Sequence, residues 1–302
     1  MKDKRVIVQL AGGLGNQMFQ YAAGRAVAAR QGGEVVLDTW SGFVRDKIYR
    51  RSYELGAFPI KAREAKFLER VPFWVDRAIS SASRRLRTSE SSLHPTSRPN
   101  RVTEVSQSFS PVLFEGRLPL PVWMTGYWQS PRYFENVKND IASELAPPEP
   151  VDAAIQRLGA EMRATQSVAV GIRLYEESPD PTAQSHDRTL KTPADVNRAL
   201  KAVAGCVGNA RFYVFCTHRA NFLKDLNLPA ETRFVTAEYG FRNPIDTFWL
   251  LSQCHHHVFT NSSFYWWGAW LSEQQPRASE PLIYAANNFA NVDALPDHWQ
   301  RF

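Results

Sequence analysis

Three glycines within four positions, Gly12, Gly13 and Gly15, separate an apolar run, Val6-Ile7-Val8, from a segment in which Met18, Phe19, Ala22, Ala23 and Ala26 recur at helical spacing. β-Branched residues favour a buried strand, glycine permits turns that other residues resist, and a 3.6-residue period gives a helix one apolar face. The stretch reads as strand, tight turn, helix. Such a unit opens an α/β fold and aims the helix's amino-terminal amides at the place where the glycines admit a ligand. An anion, typically phosphate, is favoured there.

The next apolar run, Glu34 to Leu37, ends at Asp38. An acid at a second strand end is how dinucleotide folds hold a ribose, but Met18 stands where the third glycine of that fingerprint belongs. A nicotinamide nucleotide is therefore disfavoured. The alternative is a plain turn between the first strand and helix of an α/β domain.

A length of 302 residues suits two moderate cores. With 44% hydrophobic and 22% charged residues, the composition is that of a globular protein. No window reaches the roughly twenty apolar residues of a membrane span, and Met1 to Arg5 lack a following signal-type stretch. A cytoplasmic location is expected. Cys206, Cys216 and Cys254 are scattered and read as small buried hydrophobes. The net charge of +6 points to an anionic partner, with peripheral contact to an anionic membrane among the options. No nucleic-acid motif accompanies it, so no nucleic acid is expected.

Ser80 to Arg101 is rich in Ser and Arg and reads as a loop, after which Val122 to Gln129 forms an apolar strand running into Gly126. A helix is expected from Pro131 to Leu145. Ala146-Pro147-Pro148-Glu149-Pro150 can continue neither helix nor central strand, which divides the chain into domains 1–148 and 149–302. Beyond it, strands at 167–173, 211–216, 232–235 and 258–260 alternate with helices at 151–164, 194–203, 220–226, 244–254 and 264–271. Alternation of this kind gives a parallel sheet with helices on both faces. Both halves read as doubly wound, with the cleft between them as the expected ligand site.

Arg173 ends one of these strands, where a guanidinium can grip a pyrophosphate with two parallel hydrogen bonds. Glu176, Glu177 and Asp180 follow it, and spacing does not choose which carboxylate would take a proton from a hydroxyl. Asn261-Ser262-Ser263 opens an aromatic helix, with Ser or Asn expected to cap its first turn. Trp266, Trp267 and Trp270 are placed for core packing. His255, His256 and His257 are consecutive, and alternate strand residues face opposite sides, so convergence on a metal ion is not expected.

The stretches AGGLGNQMFQYAAGRAVA and CHHHVFTNSSFYWWGAWLS closely resemble the two signature stretches of the family 11 glycosyltransferases, the α-1,2-fucosyltransferases. Arg51 to Leu55, Thr125 to Phe134, Pro244 to Asp246 and Leu295 to Trp299 resemble that family in the same order. The resemblance covers nearly the whole chain. It implies a GT-B-type fold of two Rossmann-like doubly wound domains facing across a cleft, with the acceptor on the first and the donor on the second. It further implies GDP-β-L-fucose as donor, a galactoside glycan as acceptor, inversion at the fucose anomeric carbon and no metal. On this basis the catalytic residues are Arg173 and Glu176. The donor-binding set is Gly13, Gly15, Asn16, Gln17, Thr217, His218, Asn261, Ser262, Ser263 and Phe264. Two stretches depart from the family: Gly171 to Glu176 stands for a common His-x-Arg-Arg-Gly-Asp, and Cys216-Thr217-His218 for a Ser-Asp-Asp. They leave open a different nucleotide sugar or acceptor, or a non-catalytic saccharide- or nucleotide-binding role.

Overall fold

A computed structural model describes residues 4–44, 46, 47, 49–70, 100–106, 108–173, 191–217 and 221–302. The chain forms two compact units, Met1–Gly56 with Ile60–Ile141 and Ala57–Pro59 with Ala142–Phe302. Each is built on a sheet whose strand pairs are all parallel.

The first unit holds β1 (Arg5–Gln9), α1 (Leu14–Gln31), β2 (Glu34–Asp38), β3 (Ala62–Glu64), β4 (Arg101–Thr103) and β5 (Val122–Thr125), in the sheet order β3-β2-β1-β5-β4. The order reverses between β1 and β5, where a doubly wound sheet opens a crevice at its carboxyl edge. Alternation sorts the core. Val8 faces α1, whereas Ile7 and Val36 face the other way, toward Ala65 and Trp123. A Cβ at Gly24 would stand 2.3 Å from Val8 Cγ2, so the close helix–strand approach uses a glycine well beyond the expected place at Met18.

Two readings of the sequence need correction in this part of the chain, and two further points are new. Arg101 belongs to β4 and not to a loop, because it pairs with Trp123, while residues 71–99 lie outside the described set. Between Pro131 and Val137 the expected helix is two short 3₁₀ turns, and α2 proper is Lys138–Glu144. Strand β3 was not legible. Nor does Asp38 hold a ribose: it is fully buried, and its Oδ1 accepts from the amides of Trp40 (3.1 Å) and Ser41 (2.9 Å), closing the turn after β2.

The second unit adds α3 (Ala153–Ala164), β6 (Ser167–Gly171), α4 (Pro193–Cys206), β7 (Arg211–Phe215), β8 (Arg233–Val235), α5 (Pro244–Gln253), β9 (His256–Phe259), α6 (Ser263–Glu273), β10 (Ile283–Ala285) and β11 (Gln300–Arg301). The sheet order is β11-β10-β9-β6-β7-β8. Counted from β6, this is the Rossmann order 3-2-1-4-5-6, with its reversal between β6 and β9. Val168, Val170, Val214 and Val258 pack with Val196, Leu200 and Val203 of α4. The opposite face of β6 presents Gly171 to the ring of Tyr265 in α6. Helices therefore cover both faces. Strands β10 and β11, the latter at the sheet edge, were not expected, and residues 221–225 form a 3₁₀ turn in place of the expected helix. Among the described residues no helix is long and apolar enough to cross a membrane.

Candidate functional site

Each sheet has its reversal point at the carboxyl edge, and the sequence motifs sit at both. In the second unit β6 runs into Ile172 and Arg173, and β9 into Thr260 to Ser263. The ends are tied together: Arg173 N donates to Thr260 Oγ1 at 2.7 Å, and Thr260 N donates to the Gly171 carbonyl at 2.9 Å. Tyr265 reinforces them from the first turn of α6, its hydroxyl within 3.1 Å of the Ile172 carbonyl and 2.9 Å of the Phe215 carbonyl. Sequence reasoning missed this tyrosine, because one aromatic among Phe264, Tyr265, Trp266 and Trp267 looks like its neighbours.

Asn261 and Ser262 were expected to cap α6. Ser262 is the N-cap residue, but its side chain makes no cap hydrogen bond, and Asn261 instead donates to the Asn288 carbonyl at 2.8 Å. Asn261 thereby fastens the turn to the segment after β10. Phe264 is half-buried and meets Phe248 edge-on at 5.1 Å. Thr217 is exposed at the end of β7, where its carbonyl accepts from Ala237 N at 3.4 Å. Glu176, Glu177, Asp180 and His218 lie outside the described residues. Trp266, Trp267 and Trp270 are buried, as their spacing predicted.

In the first unit Gly12 takes φ 76°, and Gly13 is the N-cap of α1. Gly15 is buried in the first turn of α1, and half-buried Asn16 accepts from Gln129 Nε2 at 2.8 Å, joining the turn to the segment after β5. Gln17, expected to touch a donor sugar, is fully buried. Its Nε2 donates to the carbonyls of Gly12 (3.0 Å) and Ser52 (2.8 Å), and its Oε1 accepts from Glu54 N at 2.9 Å. With every polar atom of the amide engaged by backbone, Gln17 shapes the loop.

The amino terminus of α1 also has a carboxyl from within the chain near it. Burial raises the pKa of Glu54, against the pull of the Arg51 guanidinium and the Leu14 amide. The Arg51 guanidinium rests over Gly13, 3.7 Å from where a Cβ would stand, and 5.5 Å from the Tyr49 ring centre. A phosphate on these amides would have to displace a carboxylate. At α6 the side chain of the N-cap residue Ser262 makes no cap hydrogen bond.

The three histidines stand at the opposite, amino end of β9. His256 Nδ1 accepts from Leu282 N at 3.0 Å, which leaves Nε2 to donate to Gln166 Oε1 at 2.9 Å. His255 stacks on His256 with ring centres 4.2 Å apart. Burial lowers all three, His256 to about 4 and His257 to about 3, so they are neutral at pH 7. Beside them burial pushes the Cys254 thiol up to about 12. Such groups are structural: a neutral imidazole set in a sheet and an inert thiol.

A family model, Glycosyl transferase family 11, matches residues 113–296, well over half of the chain. An Escherichia coli protein named alpha-1,2-colitosyltransferase is 27% identical over 315 residues, covering 98% of this chain and 98% of that protein. Among solved structures, fucosyltransferase NodZ from Bradyrhizobium aligns over 89% of this chain and 93% of its own at 14% identity and TM-score 0.45. Arabidopsis thaliana FUT1 in complex with GDP aligns over 93% of this chain and 70% of its own, at 14% identity and TM-score 0.48.

Proposed function

As the chain belongs to glycosyl transferase family 11, we propose that it moves L-fucose from GDP-β-L-fucose to the 2-hydroxyl of a galactoside, with inversion at the sugar carbon. The observation that carries this reading is the Rossmann-ordered sheet of the second unit, whose reversal point joins Arg173 to Thr260 and the turn Asn261 to Ser263. A cation and an uncapped helix start at one crevice suit a departing diphosphate.

In the proposed step the acceptor oxygen bonds to the anomeric carbon while the bond from that carbon to phosphate oxygen breaks. The electron pair leaves on GDP, and the hydroxyl proton passes to Glu176. Arg173 and the amides at the start of α6 offset the charge growing on GDP, in place of a metal ion. In this reading Thr217, His218, Asn261, Ser262, Ser263 and Phe264 bind the donor from the second unit, and Gly13, Gly15 and Asn16 bind it from the glycine turn of the first. The same reading puts the reaction in the cytoplasm, with the positive net charge available to an anionic membrane face.

A second donor is favoured by the colitosyltransferase relative. Colitose differs from fucose by loss of the 3-hydroxyl, so a pocket that does not hydrogen-bond that hydroxyl would take either sugar. Purified protein incubated with lactose and either GDP-fucose or GDP-colitose, with products separated by mass, tests both readings. The expected product is a trisaccharide bearing the new sugar on the galactose 2-position; GDP-sugar left untouched in both reactions overturns the proposal.

A further inference from the structure

The segment after β5 turns through an unusual corner. Gly126 takes φ 151°, where a Cβ would stand 2.4 Å from the Glu104 Cβ, and Trp128 takes φ 54° despite its indole. The corner is firmly held. Glu104 Oε2 accepts from Tyr127 N at 2.7 Å and from Trp128 N at 3.0 Å, and Gln129 reaches across to Asn16. Trp128 is fully buried, edge-on to Tyr133 at 5.4 Å. Between these anchors Tyr127 is turned outward and is 45% exposed.

Burial of the Trp128 indole offsets its left-handed backbone, but folding gives no reason for the neighbouring phenol to turn outward, where it recovers little burial. What the strain achieves is to set one aromatic ring at the sheet's reversal point, beside the glycine turn. Its neighbours there are polar. Asp46 lies close enough for its charge, after burial, to raise the Tyr127 phenol, so the hydroxyl keeps its proton. Asp46 is fixed by the amides of Tyr49 (2.9 Å) and Arg51 (3.0 Å), and Arg51 in turn lies over Gly13.

We propose that Tyr127 is an acceptor-binding residue: its ring stacks on the apolar face of the acceptor galactose while the Arg51 guanidinium donates hydrogen bonds to the sugar's hydroxyls. The inference rests on the transferase reading above. Galactose suits such a platform because its axial 4-hydroxyl leaves a contiguous C–H face on the other side of the ring. An aromatic ring with one fork of donors beside it grips that face and fixes the rotation of the sugar.

The test uses the whole protein with methyl β-D-galactopyranoside and, separately, GDP as probes. Saturation-transfer NMR and titration give the galactoside affinity; calorimetry gives the GDP affinity. Tyr127→Ala is expected to weaken galactoside binding about tenfold and Tyr127→Phe less than threefold, with GDP affinity in both within twofold of the parent. Equal galactoside binding by parent and Tyr127→Ala overturns this inference and leaves the transferase reading standing. A parent that binds GDP but no galactoside also overturns it. A parent that does not bind GDP counts against the transferase reading itself, whichever way the galactoside data fall. If Tyr127→Ala does not fold, Tyr127→Leu, which keeps bulk without a ring, is expected to show the same loss, and full binding by it overturns the inference.

Discussion

Arg173 and Thr260 are joined across the reversal point of the second sheet by a 2.7 Å hydrogen bond from the arginine's backbone amide to the threonine hydroxyl. The same threonine's amide is spent on the Gly171 carbonyl. One residue therefore sets the spacing of two strand ends, and with it the direction in which the Arg173 side chain leaves the sheet.

Removing that tie should disturb function more than folding. Thr260→Val keeps the shape but leaves a partly buried amide without its acceptor, at a cost of about 1–2 kcal/mol in a urea melt. Turnover is expected to fall at least tenfold. Arg173→Ala is expected to fold as the parent does and lose about a hundredfold or more in turnover, the usual cost of one preorganised donor. An Arg173→Ala protein with near-parental rates would remove this arginine from the mechanism.

For Gln17 the expectation is the reverse. Its amide satisfies two carbonyls and one amide in a dry site. Gln17→Ala should destabilise by about 3 kcal/mol, because three backbone groups lose partners at once. Differential scanning calorimetry would show the loss as a lower melting temperature, and an unchanged melt would contradict the assignment.

Acid should weaken the fold in a defined window. Burial lowers the folded pKa values of His256 and His257 to about 4 and about 3, from the ordinary imidazole value of 6.5. Below pH 6.5 the unfolded chain takes up protons that the folded chain refuses, so stability is full above that pH and falls as pH drops toward 4. Urea midpoints measured from pH 7 to pH 4 should decline steadily. His257→Gln, with no proton to gain, should show a flatter decline.

A chelator should leave turnover unchanged, since the proposed charge neutralisation comes from Arg173 and helix amides. Assays with and without EDTA on protein freed of bound metal decide it; a rate restored only by added Mg²⁺ or Mn²⁺ would require another source of positive charge.

Much of the fold could be read from the residues. Val6 to Val8 and the period of Met18, Phe19, Ala22 and Ala23 announce β1 and α1, because burial of one face leaves a regular trace. Strands such as Ala62–Glu64 and Gln300–Arg301 leave none: they are two or three residues long and exist because a neighbour supplies the ladder. The strand ends carrying Arg173 and Asn261 to Ser263 were legible, and they flank the break in strand order. The burial of Gln17 was not legible, for a physical reason. Its burial is decided by Ser52 and Glu54, 35 and 37 residues away, and no local pattern reports so distant a partner.

Glu54 at the start of α1 has a consequence for counting. A chain with two parallel sheets, each with a helix opening at its crevice, has the makings of two phosphate seats. One is filled by a carboxylate from the chain itself. Binding isotherms for GDP should therefore saturate at one equivalent per chain.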